Sequence, residues 1–280
     1  MANPVVVNAD TDKHGAQKEN IFIALHENGE YLGSMLIYPY LDYDIEPEHP
    51  HNLGLLLHGE QENLSESVKD LLLEHALQRA TEIKRDAEQA KTRVYACFLK
   101  SQQEEITYFL QRGFTHDESM QVFERYDSAE PPQAEVPEEV AIQAWKMETD
   151  AEQRQFIEAH RSVFPRHAYS VERIQELRAL PGWENFTAFN HTEIAGNIMV
   201  FTKRDRDTVG YIEDLFVQNR WRRRGIGRNL LCTALAHLHS MGIHRIQLEF
   251  WSANKPALHL YRAFGFSPID ETEIAVGRYV

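Results

Sequence analysis

Apolar and polar positions follow two periods along this chain, and together they predict a mixed α/β protein. Ile21-Phe-Ile-Ala-Leu-His26 and Tyr31 to Tyr38 are apolar runs of strand length. Glu27-Asn-Gly-Glu30 lies between them, and its Asn-Gly is the signal of a tight hairpin. Asn52 to His58 predicts a third strand. After Leu64-Ser-Glu-Ser the period changes: Val68, Leu71, Leu72, His75 and Ala76 share one face of a helix ending near Arg85. Thr92 to Leu99 predicts a strand, and Gln102 to Arg112 a helix closed by Gly113. Met120 to Tyr126 predicts another strand. The residues before Ile21 are polar with little period, and Asp42 to His51 is an acidic, proline-containing loop.

From Asp127 to Glu139 the chain turns to Ala, Glu and Pro, the composition of a semi-rigid linker. The expected division is therefore 1–128, a linker at 129–139, and 140–280. Val140 to Met147 predicts a strand. Thr149-Asp-Ala-Glu152 has the spacing of a capping box, ahead of a helix carrying Phe156, Ile157 and His160. His160 reads as a packed histidine rather than a ligand. The loop Pro165 to Tyr169 leads to a helix over Val171 to Leu180. Phe186 to Asn190 and Ile194 to Thr202 form a hairpin. Asp205-Arg-Asp-Thr turns into the apolar run Tyr211 to Val217. Ile226, Leu230, Leu231, Ala234, Leu235 and Leu238 then share a helical face, and His244 to Trp251 is β-rich.

A length of 280 residues suggests about two domains. The formal charge of −14 argues against a general nucleic-acid binder and suits cationic substrates, though acidic charge also gives solubility. Cys97 and Cys232 lie in apolar runs far apart, which predicts buried free thiols. The start, Met1-Ala-Asn-Pro-Val, has no basic segment before an apolar run, and no stretch approaches ~20 apolar residues. The expectation is a cytoplasmic protein with no membrane partner. His49 and His51 read as part of a solvated loop, so no metal is expected. Asn185-Phe-Thr matches the glycosylation pattern but has no weight without secretion.

The chemistry concentrates at Arg222-Arg223-Arg224-Gly225-Ile226-Gly227-Arg228, between the apolar run and the helical pattern. Helix-start amides have no internal partner, and the helix dipole adds positive character there. Gly225 and Gly227 let a ligand approach the backbone, and the arginines add charge. The reading is a cradle for a phosphate or pyrophosphate. No Lys-Ser or Lys-Thr follows the glycines, which excludes a Walker loop, and Leu230 stands where a dinucleotide fingerprint needs glycine.

The spacing Arg-x-x-Gly-x-Gly resembles the acetyl-CoA motif of the GNAT N-acetyltransferases. Ser252-Ala-Asn-Lys-Pro-Ala-Leu-His-Leu-Tyr-Arg-Ala-Phe-Gly-Phe266 resembles the family's second signature, and Tyr211 to Val217 its central strand in the polyamine acetyltransferases. The three occur in the family's order over roughly the C-terminal half. The resemblance implies α/β (α+β) domains, each a mixed, mostly antiparallel sheet flanked by helices. It implies direct transfer of an acetyl group from acetyl-CoA to a primary amine of a small molecule or peptide. Backbone amides of Arg223, Arg224, Gly225, Ile226, Gly227 and Arg228, with Arg222 beside them, would hold the pyrophosphate. Leu215, Phe216 and Val217 would pair with the pantetheine arm, and Asn254 would bond it. Glu213 is the candidate base and Tyr261 the candidate acid. Side chains alternate on a strand, so Glu213 and Asp214 are expected to face opposite ways. The alternative is an acyl-CoA-binding sensor without turnover.

The first half repeats the element order of the second. Leu55-Leu-Leu57 falls on Leu215-Phe-Val217, and Leu71-Leu72 on Leu231-Cys232. In that register Glu62 replaces Arg222, Ser65 replaces Gly225, Ser67 replaces Gly227, and Phe109 replaces Tyr261. Glu60 and Glu66 add negative charge. The reading is a truncated GNAT-like domain that keeps the scaffold without the ligand chemistry, with too few residues before Ile21 for the opening strand and two helices.

Overall fold

The computed structural model describes residues 4–13, 15–41, 51–59, 64–86, 91–126, 137–165, 169–204 and 208–280. In chain order the elements of the first half are β1 (Val5–Asn8), β2 (Ile21–Leu25), β3 (Tyr31–Leu41), β4 (His51–Gly59), α1 (Glu66–Asp86), β5 (Thr92–Leu99), α2 (Gln103–Leu110) and β6 (Thr115–Tyr126). Then come β7 (Ala141–Ala144), α3 (Asp150–Val163), α4 (Val171–Arg178), β8 (Glu184–Asn190), β9 (Glu193–Arg204) and β10 (Thr208–Val217). The chain ends with α5 (Ile226–Ser240), β11 (Arg245–Trp251), α6 (Lys255–Ala263) and β12 (Ser267–Tyr279). Two compact units form: residues 1–121, 251–255 and 271–280 in one, and 122–250 and 256–270 in the other.

In the first unit the strands run β1-β2-β3-β4-β5-β12. Only β4 and β5 are parallel; the other pairs are antiparallel. Val68, Leu72, Ala76 and Ala80 of α1 recur every fourth residue, so they form one stripe. That stripe packs with Met35, Ile37, Leu53, Leu55, Val94 and Phe109.

In the second unit the strands run β11-β10-β9-β8-β7, and only β10 and β11 are parallel. Side chains alternate along β9: Ile198 and Val200 join one cluster, Met199 and Phe201 the other. The first cluster holds Ile226, Leu230, Leu231, Ala234, Leu235 and Leu238 of α5, all buried as their spacing predicts. Burying each large aliphatic side chain contributes about 1.5–3 kcal/mol. The second cluster holds Phe156, Ile157, Ile174 and Leu177 of α3 and α4, against Tyr211 and Phe216 of β10. Thr149 and Glu152 make the expected capping box at α3. α5 lies close against the sheet because Gly196 has no side chain. A Cβ there would come within 2.8 Å of the Phe216 carbonyl and 3.1 Å of Leu230.

The repeat extends to cap geometry. The order β2-β3-β4-α1-β5-α2-β6 recurs as β8-β9-β10-α5-β11-α6-β12. Gly113 (φ 80°) and Gly265 (φ 79°) end α2 and α6 in the left-handed region, which glycine adopts without a Cβ penalty. The next N–H, of Phe114 or Phe266, returns to the carbonyl of Phe109 or Tyr261 at 3.3 and 3.1 Å.

Several expectations change. An opening strand does precede Ile21: β1 pairs with β2, so among the described residues it is the two helices that lack counterparts in the first unit. β12 carries no strand signal that the sequence pattern picks out, and β6 starts at Thr115 rather than Met120. Cys97 is exposed and Cys232 partly exposed, so neither thiol is the buried one expected. His51 is buried, with Nδ1 2.9 Å from Thr92 Oγ1. Asn185 is buried too, donating to the Trp145 carbonyl and to Thr187 Oγ1. His49, Glu60, Glu62, the linker up to residue 136 and the turn at 205–207 lie outside the described residues. Among the described residues, no cluster of three His, Cys, Asp or Glu could hold a metal, and no helix is long and apolar enough to cross a membrane.

Candidate active site

The site begins where two parallel strands part. β10 pairs with β11 through Gly210–Ile246, Tyr211–Gln247 and Ile212–Leu248, and the pairing then stops. β10 continues to Val217 along β9, so its β11-facing edge is open from Glu213 onward. The register with β9 slips between Ile212 and Asp214, which marks a β-bulge at Glu213. The slip shows in the packing. Tyr211 and Phe216 are five apart, which puts them on opposite faces of a regular strand, yet both lie in the α3/α4 cluster. Leu215 and Val217 pack on the α5 side instead.

The strand leads into the basic turn. Arg222 Nε donates to the Val217 carbonyl at 3.2 Å. Arg223 (φ 63°) and Gly225 (φ 82°) both adopt left-handed backbone, which turns the chain sharply into α5. The first backbone bond inside the helix runs from the Asn229 N–H to the Gly225 carbonyl, 3.0 Å. The N–H groups of Ile226, Gly227 and Arg228 therefore belong to the first turn, which a helix leaves without internal partners. Arg223, Arg224 and Arg228 are exposed around it. Arg224 pairs with Glu139 at 3.3 Å and lies over Trp221, and Arg228 lies over Phe264. A Cβ on Gly227 would meet Val217 at 3.4 Å and Leu260 at 3.9 Å, ordinary contact distances. The protein's own packing thus does not demand glycine here.

At the bulge both carboxylates meet side chains of the α3/α4 layer, so the expected opposition of Glu213 and Asp214 gives way to the register slip. Glu213 Oε1 accepts from Arg173 of α4 at 3.0 Å. Asp214 Oδ2 lies 3.6 Å from Nε2 of His160 on α3. Burial, then the charge of Glu213, pushes the Asp214 carboxyl up to about 7, while the Leu215 N–H pulls it down. His160 is buried among Phe156, Phe164, Tyr169 and Phe216, with ring centroids 4.7–5.9 Å away. Burial, with Asp214 and then Glu213, raises the Tyr169 phenol well above its ordinary value. Tyr261 of α6 is buried against Phe250 and Phe266, and burial followed by the Asp214 charge raises its phenol too.

Glu213, Leu215, Phe216, Val217, Arg222 to Arg228 and Tyr261 thus fall in one unit. Asn254 groups with the other by its contacts, and its N–H donates to the Trp251 carbonyl at 2.9 Å. Sequence reasoning missed Asp214 and Tyr169 as partners of His160. The one available signal was His160 on the inner face of an amphipathic helix.

Residues 145–266 match the model of the acetyltransferase (GNAT) family. Two curated mycothiol acetyltransferases are similar to the chain. That of Thermomonospora curvata is 27% identical over 49% of this chain and 47% of its own length. That of Thermobifida fusca is 24% identical over 51% and 48%. The match thus spans about half the length of these relatives. Among solved structures, a GCN5-related N-acetyltransferase from Sphaerobacter thermophilus superposes with TM-score 0.51 at 18% identity, over 95% of this chain and 82% of that one. Another from Anabaena variabilis gives 0.55 at 14% identity, over 92% and 62%. At these identities the structures speak for the fold alone. Over residues 145–266, therefore, the chain is similar to the acetyltransferases of the GNAT family.

Proposed function

We propose that the chain transfers the acetyl group of acetyl-CoA directly to a primary amine of a small molecule or peptide. The observation that carries this reading is the parting of β10 from β11 beside the arginine-rich start of α5. The open edge of Glu213 to Val217 offers peptide groups to the pantetheine amides. The first-turn amides from Arg223 to Arg228, with Arg222, offer donors and charge to the pyrophosphate. Gly227 supports the fit, because a Cβ there would make only ordinary contacts with Val217 and Leu260, so folding alone does not require glycine. Acetyl-CoA supplies the activated acyl group as a thioester. Tyr261 would protonate the departing sulfur. The carboxylates at the bulge would receive the cationic amine. The names of the curated relatives support acetyl transfer. The first unit would be a GNAT-like domain without acetyl-CoA chemistry.

Gly227→Ala separates ligand approach from folding. It should raise stability by about 0.4–1 kcal/mol, since alanine restricts the unfolded chain and suits a helix. It should also weaken acetyl-CoA binding, because the methyl group fills the approach to the amides. Thermal melts and calorimetry on the same preparation check both signs. For the activity itself, thiol release from acetyl-CoA is measured across a panel of polyamines, aminoglycosides, amino acids and peptides. Release that depends on one amine class, with the acetylated product found by mass spectrometry, is expected. Acetyl-CoA binding without turnover on any amine would favour the sensor instead.

A further inference from the structure

We propose that Asp214, positioned by His160, takes the proton from the acceptor ammonium. This rests on the acetyl-transfer reading above and concerns which carboxylate at the bulge does the work. Glu213 is already committed: its Oε1 accepts from Arg173, which also bonds Glu176 at 3.3 Å. Protonating Glu213 would cost that charge-assisted contact. Asp214 has a side chain only 11% exposed, and its Oδ2 accepts no hydrogen bond among the described residues. Oδ2 itself is buried with its acceptor capacity unmet, while the side chain keeps some exposure, and an incoming ammonium would satisfy it.

The groups facing Asp214 come from several elements. They are His160 of α3, Tyr169 before α4, Arg173 of α4 by way of Glu213, Tyr261 of α6, and Glu213 on its own strand. Of these, His160 brings Nε2 to 3.6 Å from Oδ2, and four aromatic rings surround its imidazole. Burial and the Glu213 charge hold the Asp214 proton up to about 7, near the optimum for a base working at neutral pH. An aliphatic ammonium near ~10 could not lose its proton to bulk water as readily.

The step balances as follows. Asp214 takes one proton from the ammonium, leaving a neutral amine whose lone pair forms the C–N bond to the acetyl carbon. The C–S bond breaks and its electron pair leaves on sulfur. Tyr261 gives that sulfur its proton and is restored by the second proton leaving nitrogen. Asp214 returns its proton to solvent.

The test compares wild type with Asp214→Asn, Glu213→Gln and His160→Gln. Wild-type kcat/KM should rise with pH along a limb near neutrality. Asp214→Asn should remove the limb and lower the rate about 10²–10⁴-fold. Glu213→Gln should keep the limb, and His160→Gln should shift it, as loss of the polar neighbour 3.6 Å from Oδ2 requires. Melting of the ligand-free protein gives a second readout. A carboxyl raised in the folded state loses stability as pH rises through its folded value. Asp214→Asn should therefore melt above wild type beyond pH 7, with the gap closing towards pH 4. A limb that survives in Asp214→Asn, a limb abolished by Glu213→Gln, one unmoved in His160→Gln, or a melting gap independent of pH would each overturn the assignment. Wild type that neither binds nor turns over acetyl-CoA would instead overturn the activity itself.

Discussion

Tyr261→Phe is expected to lower kcat by about 10²–10⁴-fold, the usual contribution of a positioned acid, and to leave acetyl-CoA affinity nearly unchanged. The ring is buried in the α5-side core, edge-on to Phe250 at 5.2 Å and to Phe266 at 6.0 Å. Phenylalanine keeps those contacts, so the fold should survive and only the hydroxyl is lost. Burial first, and the Asp214 charge second, keep that hydroxyl protonated at neutral pH. It can then donate when a thiolate leaves. A rate that does not fall, with chemistry shown to be limiting by single-turnover kinetics, would return Tyr261 to a packing role.

Arg222→Glu should weaken acetyl-CoA binding by about 1.5–3 kcal/mol or more, the size of one charge-assisted contact. Arg222 sits between the end of β10 and the left-handed Arg223, with Nε on the Val217 carbonyl. A glutamate there loses that donor and sets a negative charge beside first-turn amides that would otherwise receive an anion. The helix dipole supplies only about half a unit charge, too little to offset the reversal. The weakening should shrink at high salt, because exposed charges are screened. Calorimetry that finds wild-type affinity would remove Arg222 from the cofactor site.

Where one side of an element is buried and period decides burial, the sequence was readable. The α5 face, the Thr149 capping box and the Gly113 cap all follow from local residue types. β12 was not legible because its first four residues are exposed and Asp270 and Glu271 interrupt it; pairing with β5, not its own pattern, makes it a strand. The bulge at Glu213 was also invisible. Alternation read from residue names assumes a regular strand, and the slip appears only against β9. The contact of His160 with Asp214 joins residues 54 positions apart, beyond any local signal.

The central claim is a single acetyl-CoA site, in the second unit. The first unit zips its parallel pair further: β4 and β5 stay paired through Leu55–Ala96, and β4 meets β3 with no slip. On the internal repeat Leu55 matches Leu215, where β10 and β11 have already parted. Ser65 and Ser67 stand at the helix start in place of the glycines, and Glu66 there is paired with Arg112 at 3.2 Å. Phe109 stands in place of Tyr261. The most direct measurement is calorimetric titration of the whole chain with acetyl-CoA. The account predicts one equivalent per chain, sharply weakened in Arg222→Glu. Two equivalents, or one that keeps its affinity in that variant, would contradict it.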